Sequence, residues 1–208
     1  MTRADPVASR PRLILASASP RRRDLLCQAG LEPDSIEPTH IDESEIPGEL
    51  PGPLALRLAQ EKAAAHAGAE DGFVLAADTV VGVGRRILPK TEDADEARRC
   101  LELMSGRSHR VYTGIAVKAP DGQLTSRLVE TRVKFKHLSA PEIATYLASG
   151  EWKGKAGGYA IQGMAGGYII NLIGSFTGVV GLPLYETINL LSGAGFPVLL
   201  RQGEAETS

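Results

Sequence analysis

Leu13-Ile14-Leu15-Ala16-Ser17-Ala18-Ser19-Pro20-Arg21-Arg22-Arg23 holds a change of element within eleven residues. The apolar run from Leu13 to Ala16 has the length and composition of a buried strand. Ser19 suits a helix N-cap, Pro20 suits the first helical position, and Gly30 suits the far end. The segment therefore reads strand, loop, helix, with Ser17 and the arginines at the junction. A helix N-terminus presents free N–H groups and partial positive charge, a setting for phosphate. Arg21, Arg22 and Arg23 oppose that dipole, and an anion in the adjacent crevice would account for them. The plain alternative is that they only solvate a helix start.

Outward from this junction, helices and strands alternate. Residues 31–52 are rich in Pro, Asp, Glu and Ser and read as irregular, with a strand near Ile36. A helix is expected over Pro53–His66, ending at Gly68. Phe73–Val83 is an apolar, β-branched strand pattern interrupted by Asp78-Thr79, and Arg85–Leu88 reads as its hairpin return. Asp93–Met104 is an amphipathic helix stopped by Gly106. Arg110–Val117 and Gln123–Lys136 are strands joined by the turn Ala119-Pro120-Asp121-Gly122. Ser139-Ala140-Pro141-Glu142 is a capping box that opens a helix to Ser149. Tyr168–Ile173 and Thr177–Val180 read as a hairpin around Gly174-Ser175, and Leu184–Leu191 as the last helix, closed by Gly193. Frequent hairpins among the helices indicate an α/β fold with a mixed β-sheet and flanking helices.

Asp78 is the second chemical candidate. A carboxylate inside an apolar strand is expensive unless it is paired, hydrogen-bonded or metal-bound, so it suits Mg²⁺ or a proton from water. The plain alternative is an exposed strand-end bulge. Lys62, Lys90 and Lys155 read most simply as solvated residues, and Glu43 as an ordinary acidic loop residue. In Gly154–Gly167, Gln162 offers a donor and an acceptor in a tight glycine-rich setting, but neither a dinucleotide fingerprint nor a P-loop is present. The histidines at 40, 66, 109 and 137 show no ligand spacing. Cys27 and Cys100 lie in helical patterns outside any zinc motif and read as small buried hydrophobes in a reducing compartment.

The 208-residue chain is 43% hydrophobic and 23% charged, as expected of a globular protein rather than a disordered one. No apolar run is long enough to span a membrane. A net charge of −2 and 5% aromatic residues argue against a nucleic-acid partner. The expected organisation is a disordered tail over 1–11, a single domain over 12–202 and a disordered tail over 203–208. With no signal-like apolar segment at the start, a cytoplasmic location is expected.

Six segments, in this order, resemble the Maf family of nucleoside triphosphate pyrophosphatases. They are Leu15–Arg22 (Leu-Ala-Ser-Ala-Ser-Pro-Arg-Arg), Arg57–Ala63, Ala77-Asp78-Thr79, Ser105–His109, Lys155–Gly163 and Val179–Leu184. The resemblance implies an inosine-triphosphatase-like fold with two lobes around a nucleotide cleft. It implies hydrolysis of a nucleoside triphosphate between the α- and β-phosphates, to the monophosphate and pyrophosphate. Carried over position by position, Ser17, Arg21, Arg22, Lys62 and Lys90 would bind the triphosphate. Glu43 and Asp78 would serve catalysis and a divalent metal, Mg²⁺ or Mn²⁺, with Asp78 the proton acceptor. Arg21, Thr79 and Gln162 follow the branch that prefers dTTP and UTP, with modified pyrimidine nucleotides as further candidates. The sister branch acting on 7-methyl-GTP has Trp at the position of Arg21 and Ser-Asp-Gln at 77–79. A homodimer is a family expectation, and a nucleotide-binding regulator of cell division or septum formation is the alternative from a different class. The chain departs from the family pattern in having Gly154 before Lys155, Pro89 before Lys90 rather than after it, and Ala160 where glycine is commoner.

Overall fold

The computed structural model describes residues 11–67 and 72–198. The expected tails (Pro11 apart) and the helix stop at Gly68 lie outside the described residues. Nine strands are described: β1 (Arg12–Leu15), β2 (Ser35–Ile36), β3 (Gly72–Val83), β4 (Arg86–Leu88), β5 (Lys90–Thr91), β6 (Ser108–Lys118), β7 (Leu124–Phe135), β8 (Lys155–Ala156) and β9 (Ile169–Ile173). The helices are α1 (Pro20–Gln28), α2 (Pro51–Ala65), α3 (Ala94–Met104), α4 (Ala140–Ser149), α5 (Phe176–Val180) and α6 (Leu184–Gly193), with a 3₁₀ turn at Met164–Tyr168.

The main sheet runs β2-β1-β3-β6-β7-β9, with β4 also on β3. β1 is parallel to β2 and β3, while β3, β6, β7 and β9 pair antiparallel, so the sheet is mixed as expected. β3 organises it. One edge of β3 pairs with β6 from Val74 to Gly82. The other edge is shared, with β1 beside Gly72–Leu75 and β4 beside Val81–Val83. Between these two partners lies a gap in the ladder, and Asp78 and Thr79 stand in it. The strand passes through them without interruption. The bulge reading of Asp78 is thereby corrected: its carboxylate is buried, with 1% of the residue exposed.

Alternation along β3 sends its side chains to two layers. Val74, Ala76 and Val80 join the clusters that include Ala55, Leu58, Ala59 and Ala63 of α2. Phe73, Leu75, Ala77 and Val81 join the larger core on the other face, which includes Leu26, Leu101, Met104 and Tyr146. α2 packs directly on the sheet where the facing residues are glycine. A Cβ on Gly114 of β6 would sit 2.2 Å from the Ala55 carbonyl oxygen, and one on Gly82 would sit 2.7 Å from Pro51 Cγ. Backbone-to-backbone packing of this kind sets the height of α2, and with it the position of any side chain that α2 directs at β3.

Local signals account for many boundaries. Asp93 caps α3 by accepting from Glu96 N at 2.7 Å. Ser139 and Glu142 form both arms of the expected capping box on α4. Three readings change. Thr177–Val180 is not the return strand of a hairpin but part of α5: Ser175 Oγ accepts from Gly178 N at 2.9 Å and starts a helical turn. The β-branched run Thr-Gly-Val-Val had suggested a strand, and the cap overrides it. Cys27 is exposed rather than buried, whereas Cys100 is buried as expected. Ser19 occupies the N-cap of α1 but makes no side-chain cap bond; its own N–H instead donates to Ser17 Oγ at 3.3 Å.

Candidate active site

Three cavities border the ladder gap in β3. One, about 250 Å³, has Leu54, Leu58, Val80 and Ile87 in its walls beside Glu43, Asp78, Thr79 and Lys90; the other two hold the remaining polar groups of the site. The larger of these two, about 440 Å³, is bordered by Ser17, Arg22, Glu43, Lys62, Asp78 and Lys90. The smaller, about 70 Å³, has Thr79, Lys155, Tyr159, Gln162 and Val180 in its walls. Arg21, Arg22, Lys90 and Gly154 border both. Because Asp78 and Thr79 are consecutive on a strand, they point to opposite faces. Asp78 therefore faces the α2 side and the larger chamber, and Thr79 the α5 side and the smaller one.

The larger chamber is built around four alternating charges. Lys62 Nζ donates to Asp78 Oδ1 at 2.6 Å and lies 2.7 Å from Glu43 Oε1. Lys90 Nζ donates to Glu43 Oε2 at 2.6 Å and lies 3.8 Å from Asp78 Oδ1. Lys62 is only 7% exposed, which corrects the reading of a solvated lysine. It extends the buried stripe of α2, four residues after Leu58 and three after Ala59. A lysine buried there without an anion would be costly, and the two carboxylates supply it. Burial alone would raise the Glu43 carboxyl. The hydrogen bonds from Lys62 and Lys90 outweigh that and hold it at about 2. Asp78 Oδ2 is buried and, among the described residues, has no hydrogen-bond partner. It is a buried acceptor without its usual partner, on a residue that borders the larger cavity.

The loop before α1 and the start of α1 form the opposite wall. Arg22 is fixed at three points: Nε donates to Gly181 O at 2.9 Å, Nη1 to Ser17 Oγ at 2.9 Å and Nη2 to Thr79 Oγ1 at 3.4 Å. Burial pulls the Arg22 guanidinium below its ordinary value and Asp78 pulls it the other way, but arginine stays charged. Arg21 Nε donates to Val180 O at 3.3 Å. The carbonyls at the end of α5 thus aim both arginines, and reading 177–180 as a strand hid this. Gly181 has φ +140°, a conformation that favours glycine, and a Cβ there would meet Arg22 Nε at 3.6 Å.

In the smaller chamber, Thr79 Oγ1 lies 3.1 Å from Thr113 Oγ1, which donates to Gly178 O at 2.8 Å. Gln162 is exposed toward the chamber it borders. Burial and the charge of Arg21 pull the Lys155 ammonium below its ordinary value. Tyr159 and Thr113 were not singled out from sequence. His109, which was assigned no role, lies behind this wall and is 2% exposed; its Nε2 is 2.7 Å from Tyr159 Oη. Burial pushes its pKa down to about 4, so the folded chain holds a neutral imidazole that the unfolded chain protonates below about 6.5. Stability conferred above pH ~6.5 should therefore be lost as the pH falls from there through about 4. Urea unfolding at pH ~7 and ~4 should show wild type losing roughly 3 kcal/mol more than His109→Gln over that interval.

Every residue that the family resemblance implied for the site, namely Ser17, Arg21, Arg22, Glu43, Lys62, Asp78, Thr79, Lys90 and Gln162, borders the larger chamber, the smaller one or both. Lys90 reaches the site although Pro89 precedes it. Among the described residues no group of three or more His, Cys, Asp or Glu side chains could hold a metal, and Glu43 and Asp78 are the two carboxylates lining the larger chamber.

The Maf-like protein family model matches residues 12–194, nearly all of the described chain. The chain belongs to the Maf family. Two Maf relatives, each named a dTTP/UTP pyrophosphatase, show how near the likeness is. One, from Maricaulis maris (strain MCS10), is 76% identical over 204 residues, covering 98% of both chains. The other, from Chelativorans sp. (strain BNC1), is 61% identical over 196 residues, covering 91% of this chain and 94% of its own. Among solved structures, a HAM1 protein from Coxiella burnetii is similar at a TM-score of 0.42 and 15% identity, over 60% of this chain and 73% of that one; this likeness is too distant to carry an argument. Among the described residues, no helix is long and apolar enough to cross a membrane.

Proposed function

We propose that this Maf-family chain hydrolyses dTTP and UTP between the α- and β-phosphates, giving the nucleoside monophosphate and pyrophosphate. The observation that carries the reading is the pairing of chambers across one strand: a ring of lysines, arginine and carboxylates beside Asp78, and beside Thr79 a chamber that sets the uncharged polar groups of Thr79 and Gln162 among the cations Arg21, Arg22, Lys90 and Lys155. The relatives' names point the same way. Residues 12–202 act as one domain in this reading, in the cytoplasm and as a homodimer.

The triphosphate would lie across the larger chamber. Arg21, Arg22, Lys62 and Lys90 would meet its negative charge, and Ser17 and the free N–H groups of α1 would donate to its oxygens. These donors are already fixed by the protein, so they stabilise charge developing on the departing pyrophosphate without reorganising. Lys62 holds Asp78 Oδ1, which leaves Oδ2 as the atom that accepts a proton from the attacking water. Two carboxylates without a third fit a cation shared with substrate, since Mg²⁺ is usually held by one or two carboxylates and phosphate oxygens. Glu43 and Asp78 would hold Mg²⁺ or Mn²⁺, which when bound would neutralise phosphate charge.

The hydrogen-bonding edge of the base would point toward the smaller chamber, which at about 70 Å³ does not hold a whole nucleoside. Thr79 and Gln162 supply hydroxyl and amide groups that can pair with the O4 and N3–H edge of thymine or uracil. A base that leaves those groups unpaired is rejected. The testing experiment is a panel of dTTP, UTP, CTP, GTP, ATP and 7-methyl-GTP with Mg²⁺. The expected result is turnover of dTTP and UTP above the others by ~10²-fold or more. Preferred turnover of 7-methyl-GTP would overturn the base assignment. Tight binding without turnover of any nucleotide would favour a regulator of cell division. Gln162→Ala is expected to raise KM for dTTP about tenfold with kcat nearly unchanged, checked by steady-state kinetics.

A further inference from the structure

Gln162 sits at the third position of a turn, Ala160-Ile161-Gln162-Gly163, closed by Gly163 N donating to Ala160 O at 3.1 Å. Both ends of the turn are tied to α4 and the loop after it. At the front, Ala160 N donates to Tyr146 Oη at 3.1 Å. At the back, Met164 N donates to Glu151 Oε2 at 2.8 Å. The chain is pressed against that carboxylate: a Cβ on Gly163 would lie 2.1 Å from Glu151 Oε2. Ile161 is buried, while Gln162 between these anchors is exposed toward the smaller chamber.

We propose that Glu151 is a positioning residue for base selection, acting through Gln162. It lines neither chamber, so its effect must pass through the turn that it holds. Discrimination by a hydrogen-bonding side chain requires that the side chain stay put: a glutamine free to follow any base would pair with all of them. Glu151 pins the backbone two residues after Gln162, and Tyr146 pins it two residues before. The glutamine amide is then presented from a turn whose ends cannot drift. The carboxylate is needed here only as an acceptor, so a glutamine at 151 can do the same work.

This inference rests on the reading of Gln162 given above. The test measures kcat/KM for dTTP and for the disfavoured triphosphates in Glu151→Ala, Glu151→Gln, Gln162→Ala and the double variant Glu151→Ala/Gln162→Ala. Each variant is first shown to be folded by circular dichroism and thermal unfolding. Glu151 is partly exposed, so its removal should leave the core intact. Glu151→Ala is expected to lower the preference for dTTP about tenfold, mainly through KM, while Glu151→Gln restores it. In the Gln162→Ala background, removing Glu151 is expected to change the preference no further. A purely structural role would give additive losses in the double variant, and that result would overturn the proposal. Gln162→Ala with lost preference but Glu151→Ala without it would overturn the positioning role alone. No change in Gln162→Ala would overturn both this role and the base assignment.

Discussion

Asp78→Asn is expected to lower kcat for dTTP by ~10²–10⁴-fold, the usual worth of a positioned general base, with KM far less affected. The amide keeps the size of the side chain and an oxygen for Lys62, but it cannot take a proton. The fold should survive. Asp78 sits in the gap between β1 and β4, where its backbone pairs only with β6, and asparagine changes neither register nor volume. The loss of a carboxylate between Lys62 and Lys90 makes the chamber more cationic, so the triphosphate itself should still bind. Steady-state kinetics with a parallel binding titration checks this. A variant that keeps even a tenth of the wild-type kcat would remove Asp78 from the role of proton acceptor.

Gly114→Ala is expected to give the largest loss of stability. Its Cβ would lie 2.2 Å from a backbone oxygen of α2, a contact that no rotamer change relieves. Either α2 lifts from the sheet or β6 bends. Overpacking of this kind costs about 3 kcal/mol or more when backbone must move, against under ~1 kcal/mol gained from stiffening the unfolded chain. A fall in Tm of about 5–10 °C follows for a chain of this length. Activity should fall as well, because α2 carries Lys62 to Asp78. Gly193, at the end of α6 with nothing within 4 Å of a Cβ, provides the control: Gly193→Ala should unfold at the wild-type temperature or slightly above it. Equal Tm values for the two variants would contradict the close packing of α2.

Local chemistry made much of the fold legible. The capping box at Ser139, the Asp93 cap, the turn at Ala119–Gly122 and the strand–loop–helix at 13–30 are all written within a few neighbouring residues, and each stands where the sequence pattern puts it. α5 was misread because a β-branched run outweighed a serine cap whose importance appears only once Gly174 packs against Thr131, where a Cβ would lie 2.8 Å from Oγ1. The site was legible in parts. The strand, the arginines and Asp78 announced themselves through local cost, as charges where charge is unfavourable. Lys62 did not, because the carboxylates that justify its burial lie 16 and 19 residues away in sequence. Its one local signal was its place on the apolar stripe of α2. Tyr159, Thr113 and Glu151 gave no signal at all, since their partners lie on other strands, helices or loops.

The most direct measurement is the identity of the products formed from dTTP and Mg²⁺, resolved by ³¹P NMR. Hydrolysis between the α- and β-phosphates predicts thymidine monophosphate and pyrophosphate in equal amounts from the first turnover, with no thymidine diphosphate at any time. Thymidine diphosphate and orthophosphate would place the attack at the γ-phosphate and contradict the assignment of the larger chamber as an α,β-cleaving site.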